Sequence, residues 1–244
     1  MEQNKTRTYL KYAVGEVALV MIGILLALQV NNWNENRRSN QTQQLTLKNL
    51  ETELQEAKSY LKIRNEGNRK ILKNSDLYIY NEFDKDSLES DPGATLSFTN
   101  YYTIDVKLPI VERELGSDPL IKGEGKLVTK LREIKNQSDG IETTLFYLDE
   151  FWNNQVAPYY LKEKVLVLLH QLVKSEENNM GYRRTNDGAL REAPKFSSLE
   201  KVYNDEEHRN LAAMCNLFTS ELTVVAEEMV TNIDEAIALI KEIE

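Results

Sequence analysis

From Val17 to Leu28 the chain reads Val-Ala-Leu-Val-Met-Ile-Gly-Ile-Leu-Leu-Ala-Leu without a polar side chain, and the run extends over Ala13 to Val30 once Glu16 and Gln29 are included. As helix, such a segment rises about 27 Å, close to the hydrocarbon thickness of a bilayer. Its flanks suit that setting: Tyr9 and Tyr12 precede it and Trp33 follows it, amphipathic rings that settle at headgroup level. A cleaved leader would share the basic start and the apolar run, but Ala27-Leu28-Gln29-Val30-Asn31 lacks the paired small residues of a processing site. The expectation is a tail over 1–12 and a transmembrane helix with its interface over 13–33. Lys5, Arg7 and Lys11 stand before the span and Arg37, Arg38 and Lys48 after it. Lys11 abuts the span more closely than Arg37 does, which places the tail in the cytoplasm and the rest outside. In a two-membrane bacterium that means a single-pass inner-membrane protein with a periplasmic domain.

The residues around the span also carry a resemblance. Tyr12-Ala13-Val14-Gly15-Glu16, then Val20, Gly23-Ile24-Leu25, and Ala27-Leu28-Gln29-Val30 running into Asn31-Asn32-Trp33-Asn34-Glu35 resemble the opening signature of an uncharacterised Bacteroidota family of single-span membrane proteins, domain-of-unknown-function family 6090. A thinner similarity continues around Glu114-Leu115-Gly116-Ser117 and from Leu120-Ile121 to Leu131. The resemblance implies an N-terminal span and a helical domain. It implies no activity and no catalytic residues.

Past Trp33 the chain is polar to Gln44. Leu47, Leu50, Leu54, Ala57 and Leu61 then recur at spacings of 3, 4, 3 and 4, a heptad seam on a long stalk or bundle helix over 34–82. Arg64, Gly67 and Asn68 interrupt it, and it resumes with Ile71 or Leu72, Leu77 and Tyr78. The seam suits an amphipathic helix packed in its own domain as well as an intermolecular coiled coil. Asp91-Pro92-Gly93 marks a loop and Gly116-Ser117-Asp118-Pro119 a turn. Leu127, Val128, Leu131 and Ile134 predict a helix from Gly125 to about Asn136, and Ile141, Leu145, Leu148 and Trp152 predict another. Pro158 suits the first turn of a helix carrying Leu161, Val165, Leu168, Leu169 and Leu172. A mobile loop is expected near 175–198. The long final helix, 205–243, carries Leu211, Met214, Phe218, Leu222, Val225, Met229, Ile233, Ala236, Ile240 and Ile243. Its partner should be the 41–80 helix, antiparallel, with shorter helices closing the bundle. Only Tyr101 to Val106 reads as extended. The fold class is therefore all-α: one N-terminal transmembrane helix followed by a long-helix bundle with coiled-coil-like seams, residues 83–244 forming the helical remainder of the same soluble domain.

Chemistry is harder to find. Of 39 acidic and 30 basic residues, the first 30 positions hold two and three, so the remainder carries a charge of −10, which disfavours binding to nucleic acid. Cys215 is the one cysteine and has no disulfide partner in the chain; it reads as a small buried hydrophobe. His170 and His208 are the two histidines, and although His208 and Cys215 share a helix face, two soft ligands make no zinc site, so His208 reads as exposed or interfacial. Lys122-Gly123-Glu124-Gly125-Lys126 lacks the Ser/Thr and the preceding strand of a phosphate loop and reads as a turn before a helix. No nucleophile elbow, zinc helix or dinucleotide fingerprint is present. Phe146, Tyr147, Phe151, Trp152, Tyr159 and Tyr160 form an aromatic group that suits a core or a ligand site. On the span, Glu16, Gly23, Ala27 and Asn31 share one face, where small residues permit close helix approach.

The expectation from sequence is a membrane-anchored helical interaction or assembly protein, without catalysis, metal or cofactor. Its partners would be membrane lipid, copies of itself, and a periplasmic or inner-membrane protein. Two alternatives stand beside it. One is a membrane-active oligomer with an ion or proton path using Glu16, and the other is a tethered ligand sensor or hydrolase using the aromatic group.

Overall fold

The computed structural model describes residues 3–84, 86, 97–117, 119–121, 125–165 and 199–243, and their side chains except those of 3–14 and 18. Every regular element among them is helical, so the fold is all-α as expected. Helix α1, Gln3–Ile79, runs unbroken for 77 residues, about 115 Å, through the tail, span and stalk that the sequence divides. No proline occurs before Pro92 to stop it. The polar stretch beyond the span stays helical, with Asn31 Nδ2 donating to Glu35 Oε1 at 2.9 Å one turn on.

Two environments follow along this one helix. From Val17 to Val30 the described large apolar side chains are 53–75% exposed, and the helix is long and apolar enough to cross a membrane. From Thr46 onward the inward positions are buried: Leu47, Leu50, Leu54, Ala57 and Leu61, as the heptad spacing requires. The stripe does not stop at Arg64. Asn65, Asn68, Ser75 and Tyr78 continue it at 7% exposure or less, while Ile71, Leu72 and Leu77, on which the sequence resumes the seam, are half-buried.

Five further helices and one π-helical turn complete the described fold: α2, Pro109–Glu114; α3, Gly125–Phe151, passing into the π-helical turn Trp152–Val156; α4, Ala157–Lys162; α5, Glu200–Asn204; and α6, Glu206–Ile243. Helix α6 lies antiparallel to α1. Lys241 pairs with Glu51, Lys58 with Asp234, Arg69 with Glu227, and Asn216 Nδ2 donates to Asp76, so one numbering rises as the other falls. Helix α3 is antiparallel to α6 in the same way, through Lys130 with Glu235 and Phe151 against Phe218. The core lies between these three long helices, where each fully buried Leu or Ile contributes roughly 1.5–3 kcal/mol.

The chain returns along α1 as extended backbone, held at four levels by α1 side chains. Ser75 Oγ donates to the Phe98 carbonyl at 3.4 Å, and Asn68 grips both polar groups of Tyr102. Tyr60 Oη accepts the Asp105 N–H at 3.1 Å, and the Glu53 carboxylate accepts the N–H groups of Ile110 and Val111 at 2.9 and 3.0 Å. The holding residues are two helical turns apart, and three to five extended residues cover the same rise. Tyr101 to Val106 is thus extended as expected, but side-chain amides, hydroxyls and a carboxylate take the place of a neighbouring strand. Gly67 belongs to this contact: a Cβ there would lie 2.6 Å from the Tyr102 ring.

Several sequence expectations change. The helices expected over 125–136 and from Ile141 are one helix, because Ile134 and Ile141 stand seven apart on a single buried stripe. The helix at Pro158 ends at Lys162, where Lys164 takes φ 59°; Leu161 is exposed and Val165 is buried beyond the end. Leu168, Leu169, Leu172, the loop near 175–198 and Asp91-Pro92-Gly93 lie outside the described residues. On α6 the expected stripe holds at Leu222, Met229, Ile233, Ala236 and Ile240, with Val225 and Ile243 half-buried, but before it the buried residues are His208, Ala212, Cys215 and Thr219. Leu211 and Phe218 are half-buried and Met214 is exposed. Of the buried residues there, His208 bonds to neighbouring elements through Tyr78 and Tyr160, whereas Thr219 Oγ1 is buried without a hydrogen-bond partner.

Candidate functional site

The end of the bundle farthest from the apolar segment of α1 is built around His208, which is fully buried rather than exposed or interfacial as its sequence context suggested. Helix α6 supplies His208, the last turn of α1 supplies Tyr78, α4 supplies Tyr159 and Tyr160, and α5 supplies Tyr203. The π-helical turn widens the helix just ahead of α4, and both consecutive tyrosines there are buried. Tyr78 stacks on Phe98 with ring centroids 4.4 Å apart, and Tyr159 stacks on the His208 ring at 5.7 Å.

Four hydrogen bonds connect these groups in a line. Thr99 Oγ1 and Tyr160 Oη are 2.6 Å apart, Tyr160 Oη and His208 Nε2 3.1 Å, His208 Nδ1 and Tyr78 Oη 2.8 Å, and Tyr78 Oη and the Tyr203 carbonyl 3.1 Å. The carbonyl can only accept, which fixes the direction of the two bonds that Tyr78 makes. Tyr78 gives its one proton to that carbonyl and accepts from Nδ1–H of His208. In the neutral imidazole Nε2 is unprotonated and accepts from Tyr160, and Tyr160 accepts from Thr99. A neutral His208 therefore carries its proton on Nδ1.

Electrostatics agree with that assignment. Burial pushes the His208 imidazole down to about 4; Asp205 opposes the shift and the Arg209 guanidinium reinforces it. Burial likewise raises Tyr78, Tyr159 and Tyr160 well above the usual phenol range, and Tyr159 is raised further by donating to Asp205 Oδ2 at 2.9 Å. Arg209 also lies over the Tyr78 ring, 5.6 Å from its centroid. The arrangement stores protons in one order and joins α1, the 98–99 turn, α4, α5 and α6. It offers no solvent-facing nucleophile or base. Among the described residues no group of three His, Cys, Asp or Glu side chains is placed to hold a metal ion. An open groove of about 600 Å³ runs between the start of α3 and the end of α6, lined by Lys126, Thr129, Lys130, Glu235 and Leu239. Its Lys130 is neutralised by Glu133 and Glu235, each at 2.7 Å.

Residues 16–90 match a family of unknown function, DUF6090. This is the family that the Tyr12 to Glu35 signature resembles. No curated protein and no solved structure matches the chain. The DUF6090 segment holds most of the span, the whole heptad seam, and the α1 side chains Glu53, Tyr60, Asn68, Ser75 and Tyr78. His208, Tyr160 and Thr99 lie beyond it, so the buried line of hydrogen bonds joins the DUF6090 segment to the rest of the chain.

The residues singled out from sequence are distributed as follows. Glu16, Gly23, Ala27 and Asn31 are all exposed on α1, and a Cβ at Gly23 would meet nothing within 4 Å. The aromatic group does not converge on one place. Phe146 and Tyr147 pair on the surface at 5.7 Å, Phe151 packs half-buried on Phe218, and Trp152 is half-buried. Tyr159 and Tyr160 are in the core. Cys215 is buried, as expected of a small hydrophobe, and its thiol is pushed up to about 12. Glu114, noted only for its place in the weaker similarity, is buried and accepts the N–H groups of Leu120 and Ile121, both at 2.9 Å. A signal for His208 was present: His208, Ala212, Cys215, Thr219 and Leu222 recur at 4, 3, 4 and 3. The residue types hid it.

Proposed function

We propose that the chain is a membrane-tethered helical assembly protein without catalysis, in which α1 is both bilayer anchor and bundle helix. The observation that supports this reading is the continuity of α1 from the apolar segment into the core, with no proline or loop to act as a hinge. A rigid connection of that kind sets the height and rotation of the bundle relative to the span, so association of spans would orient the bundles as well. We take the span to self-associate through the Glu16, Gly23 and Ala27 face, with the tail cytoplasmic and the bundle periplasmic.

The mass of the intact protein extracted in mild detergent tests the assembly. An oligomer is expected, and a monomer at all protein-to-detergent ratios would refute it. A reporter active only outside the cytoplasm, fused after Glu244, tests the orientation independently. Silence of that fusion would invert it.

A further inference from the structure

We infer that Trp33, Arg37 and Arg38 form a site for the phosphate of an anionic phospholipid at the bundle-side edge of the bilayer. The inference rests on the proposed bilayer span. Trp33 ends the apolar segment and is 64% exposed, the position and character of a headgroup-level anchor. One turn farther, about 6 Å along the axis, Arg37 holds its guanidinium carbon 5.9 Å from the Trp33 ring centroid. That stacking orients the guanidinium without neutralising it. Neither Arg37 nor Arg38 has a carboxylate partner among the described residues, and the neighbouring Glu35 accepts from Asn31 instead.

Two unpaired guanidinium groups are therefore carried at the depth where lipid phosphates lie. Their planar donor forks match phosphate oxygens better than ammonium groups do. Zwitterionic lipids offer the same phosphate beside a fixed cation. Anionic lipids do not, so the site should distinguish phosphatidylglycerol from phosphatidylcholine.

The protein has two tryptophans, Trp33 and Trp152, so the full-length Trp152→Phe variant makes Trp33 the only indole. Reconstituted in phosphatidylcholine vesicles, it is titrated with brominated phosphatidylglycerol or brominated phosphatidylcholine at equal mole fraction. Trp33 should be quenched more strongly by the anionic lipid, with a preference on the order of fivefold per arginine at low salt. Arg37→Gln with Arg38→Gln should erase the preference, and millimolar inorganic phosphate should leave it intact. Equal quenching by the two lipids overturns the site alone. Loss of the preference to inorganic phosphate overturns the assignment to a lipid headgroup. Absence of quenching by either lipid overturns the bilayer span and this site with it. Should Trp152→Phe not fold, native mass spectrometry of the parent decides: retention of phosphatidylglycerol over phosphatidylcholine, lost in the double arginine variant, supports the site, and equal retention overturns it.

Discussion

Asn68 holds the backbone of Tyr102 with both ends of its amide: Nδ2 donates to the Tyr102 carbonyl at 3.1 Å and Oδ1 accepts the Tyr102 N–H at 2.7 Å. A helix side chain here does what an adjacent strand would do for an extended segment. Asn68→Ala leaves both backbone groups without partners, a loss of about 2–4 kcal/mol in unfolding free energy. Asn68→Leu, which restores apolar volume, should not recover it. A urea midpoint for Asn68→Leu equal to that of the parent would show that the clasp contributes nothing.

This contact also shows where sequence reading reaches and where it stops. Leu47 to Leu61 announced themselves because apolar residues at heptad spacing have one common use. Asn65, Asn68 and Ser75 hold the same inward face, yet as residue types they read as an interruption, since burial of an amide is favourable only when its partners are known. Asn68's partner lies 34 residues away on extended backbone. His208 was missed for the same reason: its burial depends on Tyr78, 130 residues earlier, and Tyr160, 48 earlier. The long apolar N-terminal segment and the all-α class needed no such long-range knowledge.

The neutral His208 makes stability depend on acid. Its folded pKa, about 4, lies below the ordinary histidine value of 6.5, so the unfolded chain binds the proton more readily between those values. The contribution is complete above about pH 6.5, shrinks as pH falls, and is gone below about pH 4, a total of about 3 kcal/mol. Protonation also removes the lone pair that accepts from Tyr160. Guanidinium unfolding at a series of pH values should show this slope in the parent and not in His208→Gln. Equal slopes in the two proteins would mean that His208 is not the titrating group.

Val225 and Met229 stand equally well in the periodic pattern, but their surroundings separate them. Met229 is fully buried between α1 and α3, whereas Val225 is half-buried and Ala226 takes the inward place beside it. Met229→Asp should destabilise by about 4 kcal/mol or more, since the carboxylate has neither water nor a cation to meet. Val225→Asp should cost about 1–2 kcal/mol, because its charge can turn outward. Comparable melting temperatures for the two variants would contradict the observed facing of α6.

The continuity of α1 makes the proposed self-association testable well outside the membrane. Gly23 and Leu50 are 27 residues apart, as are Ala27 and Leu54, about seven and a half turns, so the small-residue face of the span is opposite the side that packs against α6. Leu45 and Ile63 instead follow Ala27 by 18 and 36 residues, about five and ten turns, and lie in line with it. They are 60% and 72% exposed. If spans meet through Gly23 and Ala27, the α1 helices must line the axis of the assembly with the bundles outside, and Leu45 of each copy must face Leu45 of the next. A Leu45→Cys protein oxidised in native membranes should then form a disulfide-linked dimer, Ile63→Cys a weaker one, and Leu161→Cys, equally exposed on α4, none. Cys215 does not compete, since it is buried with its thiol held protonated. Adding Gly23→Ile to Leu45→Cys should abolish the link, because a branched side chain keeps the spans apart. An undiminished cross-link in that double variant would remove the span face from the contact.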